Sequence, residues 1–315
     1  MKHKVFFLVL LFFLFPVFSQ SNKITFSIFP YTGLSYGCHY EHLYSGMGKE
    51  NEVSLLEWKI EPLWTFGADA TLKFYNLFIE LGADYALPIN CGEMHDSDFE
   101  AFSGMKYCYS INELKSKQNI HTHFDLAYFF NLSEFFILKP KASVHYYYDS
   151  FEARNGYGWY GMETKNHPLV AWDDPRAKYY SKGQLNGVDF YRHTLLTFFG
   201  LGFSVNIQRI SIDLEMLLSP YTYFYTMDTH LSKNKNYHLK EIQQSSFNQY
   251  LLECNIRYKL TDYMKLYFAL SYIDGSTSRG KLYNDYITES IMLSNQKSGA
   301  SLKLINVRLG PEFSF

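Results

Sequence analysis

Beyond Phe18 the chain contains no uninterrupted apolar run approaching the roughly 20 residues a spanning helix needs, which excludes a helical membrane protein. It also lacks an excess of either charge. Lys and Arg number 29 against 31 Asp and Glu, a formal net charge of −2, and this balance leaves no electrostatic footprint for nucleic acid. Cysteine is scarce, which excludes a disulfide-built scaffold. The four cysteines, Cys38, Cys91, Cys108 and Cys254, allow one small bridge, with Cys91 and Cys108 closing an outer loop, or four free thiols. No histidine-rich zinc spacing is present, and neither a metal nor a cofactor is expected. There is no internal repeat, low-complexity tract or second domain.

What the chain does have begins with a secretory leader. Lys2 and Lys4 form a basic start, Val5 to Phe18 is almost wholly apolar, and Ser19, Gln20 and Ser21 suit cleavage, so residues 1–20 read as a signal peptide and 21–315 as the mature protein. No cysteine follows closely, which argues against a lipoprotein. Aromatics make up 19% of the chain, with 28 Tyr and 28 Phe. Transmembrane barrels carry such an excess because Tyr, Trp and Phe form girdles at both membrane interfaces.

Alternation with a period of two recurs through the mature chain. Ile210, Ile212, Leu214, Met216 and Leu218 alternate with Ser211, Asp213, Glu215 and Leu217. Leu77, Ile79, Leu81, Ala83 and Tyr85 alternate with Phe78, Glu80, Gly82 and Asp84. A charge facing lipid near the midplane costs up to about 2–4 kcal/mol, so Glu80, Asp84, Asp213 and Glu215 should face the lumen. The pattern predicts an all-β fold, a transmembrane antiparallel β-barrel of ten strands over residues 24–40, 52–74, 77–90, 118–131, 135–153, 187–205, 208–226, 242–259, 264–278 and 299–315. Short turns alternate with long polar loops near 41–51, 91–117, 154–186, 227–241 and 279–298. This is the outer-membrane pattern of short periplasmic turns and long exterior loops.

Two acidic pairs stand at the outer ends of predicted strands. Asp96 and Asp98 follow the third, and Asp228 and His230 follow the seventh. Residues i and i+2 of a strand share a face, so each pair can enter one cleft. Peptide hydrolysis without a covalent intermediate needs a base to activate water. Histidine suits that role near neutral pH, and a neighbouring carboxylate can orient its ring. Strict alternation from Ile210, however, gives Asp228 and His230 the parity of lipid-facing Leu214. Either Pro220, which cannot donate to a ladder, marks a bulge that resets the register, or the strand extends above the membrane.

On these residues the chain resembles the omptins, a family of ten-stranded outer-membrane endopeptidases. The resemblance runs over most of the mature chain. Gly92-Glu93-Met94-His95-Asp96-Ser97-Asp98-Phe99 fits the family's Asp-x-Asp motif, with Phe99 where Trp is usual, and Asp228-Thr229-His230 fits its Asp-x-His motif. Leu56-Glu57-Trp58-Lys59 and Ser150-Phe151-Glu152-Ala153-Arg154-Asn155-Gly156 are lesser matches. The resemblance implies that His230 is the base, Asp228 its partner, and Asp96 and Asp98 the holders of water and stabilisers of the intermediate. It also implies that Glu41, at the family's spacing before Trp58, binds substrate as an acid of the pocket for a basic P1 residue. Thr226 replaces the second family pocket acid, which weakens that preference. Polypeptides outside the cell are the implied substrates and an outer-membrane lipid the implied partner. The family's need for lipopolysaccharide carries over only to that glycolipid or a substitute, because Val144-His145-Tyr146-Tyr147-Tyr148-Asp149 lacks the expected Arg. The family's loop His has no counterpart, and Glu113 lies near its position. The rival reading is an inactive barrel acting as adhesin or structural protein. A diffusion pore is disfavoured, since charged side chains can fill a ten-stranded lumen.

Overall fold

The computed structural model describes residues 24–45, 51–161, 168–231, 236–285 and 291–315; the expected leader lies outside them. The described residues form one antiparallel sheet of strands β1 (Ile24–Tyr44), β2 (Glu52–Phe74), β3 (Leu77–Ala86), β4 (Asn90–Phe99), β5 (Lys106–Tyr128), β6 (Phe130–Asn131), β7 (Phe136–Tyr160) and β8 (Lys178–Leu185), followed by β9 (Val188–Ile207), β10 (Ile210–His230), β11 (Tyr237–Ser245), β12 (Gln249–Lys259), β13 (Met264–Gly275), β14 (Ser278–Asp285) and β15 (Ile291–Ser314). The sheet closes on itself through β1 and β15, paired from Ser27↔Ser314 to Tyr44↔Lys297. Three passes are interrupted. β3 and β4 both lie between β2 and β5, β11 and β12 both pair with β10, and β13 and β14 both pair with β15. β6 and β8 are short additions to β7. Counted as passes around the ring, the strands agree with the expected ten.

The predicted outer loops at 91–117, 227–241 and 279–298 are largely strand. β4 continues beside β5 up to Asp98↔Cys108, β10 runs on to His230↔Tyr237, and β14 pairs with β15. Outward side chains on these extensions meet water rather than lipid, so they need no apolar alternation and look like loops in sequence. The same hairpin settles the cysteines. Cys108 lies opposite Asp98 while Asn90 lies opposite Lys115, which puts Cys91 and Cys108 at opposite ends of the pair, and all four thiols are free.

Around the membrane band, Phe66, Leu81, Phe124, Leu201, Leu214, Met216, Leu270 and Leu309 are exposed outward. Inside, the charges pair. Lys139 reaches Asp213 at 2.9 Å and Glu215 at 2.8 Å, and Lys141 reaches Asp125 and Glu215 at 2.7 Å and Glu253 at 2.9 Å. Glu80 accepts from His123 and Asp84 from His121 and Tyr31. All four predicted lumen acids therefore face inward, and each buried charge has the counter-charge or hydrogen bond that makes its burial tolerable. Higher up, the filling becomes apolar. Trp58, Phe151, Phe190, Leu196 and Phe224 are fully buried in one cluster, with Trp58 stacked on Phe190 at 4.5 Å. Burial of each such side chain contributes roughly 1.5–3 kcal/mol. This plug supports the floor of the outer cleft.

Candidate active site

Two local devices aim the acidic pairs inward. In β10 the register against β9 slips between Leu218↔Phe199 and Tyr221↔Thr197. The extra residue lies at Ser219-Pro220, where proline has no amide hydrogen to give the ladder. Below the slip Asp213, Glu215 and Leu217 point in, and above it Thr222, Phe224, Thr226 and Asp228 do. The predicted bulge is thus present, and β10 also extends above the membrane band. At the start of β4, Gly92 has φ +140°, and a Cβ there would meet the Lys59 carbonyl oxygen at 2.1 Å. Only glycine permits this close approach, which seats β4 against β2 and sets the stretch Met94 to Asp98.

Asp96 then lies opposite Leu56 and Ser110, and Asp98 opposite Ser54 and Cys108. Both line an outer cleft of about 600 Å³ that Asp228 and His230 also line, with Glu241, Tyr160 and Tyr180 and an apolar wall that includes Leu56 and Met94. One cleft gathers all four residues from strands far apart in sequence. His95, inside the Asp-x-Asp motif, is turned away and held by Lys59, Tyr109 and Glu93. Glu113 lies outside the cleft's lining, bonded to Asn155 and Lys182.

Burial disfavours the charged form of each titratable group in the cleft pairs. Burial, followed by the charge of Asp98, raises the Asp96 carboxyl well above the usual range. Burial raises Asp98 as well, opposed by a hydrogen bond from Ser54. Asp228 is raised well above the usual range by burial, then by Glu41 and Glu241, with Arg192 opposing. His230 is pushed down to about 4 by burial, and its ring stacks on Tyr237 at 4.5 Å. The site therefore sets an imidazole that is neutral at ordinary pH beside carboxyls whose protonated form burial favours. His230 Nε2 and Asp228 Oδ1 are buried and have no hydrogen-bond partner in the protein.

Glu41 does not line the cleft. It is 1% exposed, and its charge is among those that raise Asp228. Its carboxylate accepts from Trp58 Nε1 at 2.9 Å and from Arg192 Nη2 at 3.3 Å. Sequence reasoning missed Arg192 and Glu241. Arg192 lies opposite Thr226 across β9 and β10, and Glu241 opposite the same Thr226 across β10 and β11. A signal existed for the first: Arg192 has the parity of inward-facing Phe190, Leu196 and Phe198, so a charge stood on an apolar face.

The sequence profile of the Omptin family matches residues 22–315. Among solved structures, the chain is similar to the outer-membrane protease OmpT from Escherichia coli, at 15% identity, with 95% of this chain and 99% of that chain covered and a TM-score of 0.79. It is more distantly similar to the outer-membrane protein OprG from Pseudomonas aeruginosa, at 9% identity, 92% and 95% coverage and a TM-score of 0.39. A comparison with curated proteins gives no match.

Proposed function

The chain belongs to the omptin family, an outer-membrane barrel with its cleft facing the exterior, and from that premise we propose that it is an endopeptidase that activates water at His230. The observation that carries this reading is the gathering of Asp96, Asp98, Asp228 and His230 in one cleft, with His230 Nε2 and Asp228 Oδ1 left unpartnered by the protein. A site arranged to grip water and a scissile carbonyl needs such free polar atoms.

In the proposed reaction the neutral His230 Nε2 takes a proton from water. The hydroxide attacks the carbonyl carbon of the scissile bond. A carboxyl of the Asp96–Asp98 pair, keeping its proton, donates a hydrogen bond to the developing oxyanion. When the tetrahedral intermediate collapses, the imidazolium returns its proton to the leaving nitrogen and the carbon–nitrogen bond breaks. Asp228, two residues before His230 on the same strand, orients the ring. A positioned base of this kind is worth roughly 10²–10⁴-fold. Peptides outside the cell are the substrates, and an outer-membrane glycolipid such as lipopolysaccharide is the lipid against which activity should be measured.

The test is cleavage of a mixed peptide library by the refolded barrel, with and without lipopolysaccharide, beside Asp228→Ala and His230→Ala. Cleavage lost in both variants supports the reading. No cleavage by the folded wild type under either lipid condition moves the conclusion to the non-enzymatic barrel.

A further inference from the structure

In the lumen, one glycine leaves a gap that two ligating side chains enter. Asp69 on β2 lies opposite Gly82 on β3, and Gly82 lies opposite His123 on β5. Neighbouring strands are about 4.8 Å apart, so Asp69 and His123 stand about 10 Å apart along this row. Their side chains still converge, because nothing projects from the residue between them. A Cβ at Gly82 would fall on Asp69 Oδ1 and on the His123 ring. Glu80 precedes Gly82 by two residues and shares its face. Its Oε1 lies 3.3 Å from His123 Nε2, and Asp69 Oδ1 lies 3.9 Å from the same nitrogen. One ligand atom from each of the three residues falls within 4.8 Å of the other two. Asp69 is 1% exposed, and its Oδ2 accepts from Arg308 at 3.3 Å, yet its Oδ1 has no hydrogen-bond partner. A buried carboxylate oxygen without a donor is costly. A glycine inside a strand weakens it, and such glycines mark places where a ligand or another chain segment comes close. A bound cation accounts for both features.

We propose that Asp69, Glu80 and His123 bind a divalent ion of the zinc class, with water in the fourth position, as a brace across β2, β3 and β5. One imidazole and two carboxylates suit that ion. With bonds of 2.0–2.1 Å, a tetrahedral site needs ligand atoms about 3.3 Å apart, so no side of the triangle has to shrink by more than about 1.5 Å. On binding, His123 Nε2 gives up the proton it now shares with Glu80, and the metal takes its place. The neighbouring histidine is already engaged: His121 spends Nδ1 on Asp84 and Nε2 on His145. Glu80 and His123 line a lumen cavity of about 260 Å³ that extends to Lys73 and Ser314 at the short-turn end of the barrel. This supplies both room for the water and an entry path from the side opposite the outer cleft. No local spacing encodes the set, since its ligands come from three strands.

The experiment uses the full refolded barrel in micelles, stripped with chelator and titrated with zinc chloride in a calorimeter. The wild type is expected to bind one equivalent, and so is His230→Gln, which removes the histidine of the outer cleft. Asp69→Asn, Glu80→Gln and His123→Gln are each expected to weaken binding by roughly tenfold or more. Gly82→Ala, which keeps every ligand but fills the gap, is expected to weaken it as much. Zinc at a hundredfold excess over Kd should raise the melting temperature of the wild type by roughly 5 °C and leave that of His123→Gln unchanged. Absence of saturable binding to the wild type overturns the proposal. So does binding that persists undiminished in His123→Gln, or that disappears in His230→Gln. Should the lumen variants fail to fold, anomalous diffraction at the zinc edge from wild-type crystals decides it. A peak between Asp69, Glu80 and His123 supports the site, and a peak only elsewhere, or none, overturns it.

Discussion

Protonation of His230 offers the sharpest check on the site's electrostatics. The ring is buried, burial alone acts on it, and the imidazole falls from 6.5 to about 4. That difference corresponds to about 3 kcal/mol. The sign follows from linkage: the folded value is depressed, so this stability is fully present above about 6.5 and is lost as pH falls towards 4. Two measurements read it. The imidazole resonance of His230 in labelled protein, assigned by its absence in His230→Gln, should titrate near 4, and the acid limb of kcat/KM should lie there too. Asp228→Asn should hardly move the midpoint, because burial sets it and not the charge of Asp228. A midpoint at or above 6.5 in the wild type would refute the reasoning, since it would mean that an ionised Asp228 holds the ring's charge.

Asp228→Ala and His230→Ala should each lower kcat/KM by roughly 10²–10⁴-fold with the barrel intact, read from peptide cleavage beside heat-modifiable gel mobility. Asp96→Asn should raise the melting temperature at alkaline pH and leave it unchanged below the ordinary carboxylate range. The raised Asp96 carboxyl stabilises the fold only while protonated, so that contribution is lost as pH rises. Lys141→Met removes the lysine from Asp125 and Glu253 and leaves Glu215 with Lys139 alone, and should cost about 3–5 kcal/mol in denaturant unfolding from micelles. Planar-bilayer recordings should show no steady open channel, because the ion pairs around Lys139 and Lys141 and the apolar layer above them fill the lumen; steady conductance would contradict that filling.

The sequence by itself determined the barrel. Alternation is enforced wherever one face of a strand meets lipid, and it placed Glu80, Asp84, Asp213 and Glu215 inside and required either a bulge at Pro220 or a strand running on above the membrane. It also carried the two acidic pairs, because residues two apart on a strand share a face whatever the rest of the molecule does. Above the membrane that constraint lapses: outward residues meet water, the pattern fades, and β4, β11 and β14 read as loops. Tertiary structure alone decided the surroundings of the acids. Which residues lie under the cleft depends on register across strands remote in the chain, and register brought Arg192 and Glu241 to either side of Thr226. Closure of the ring then carried Glu41 on β1 to the Arg192 guanidinium rather than to the cleft surface, and burial there, which no local spacing encodes, raises Asp228 and lowers His230.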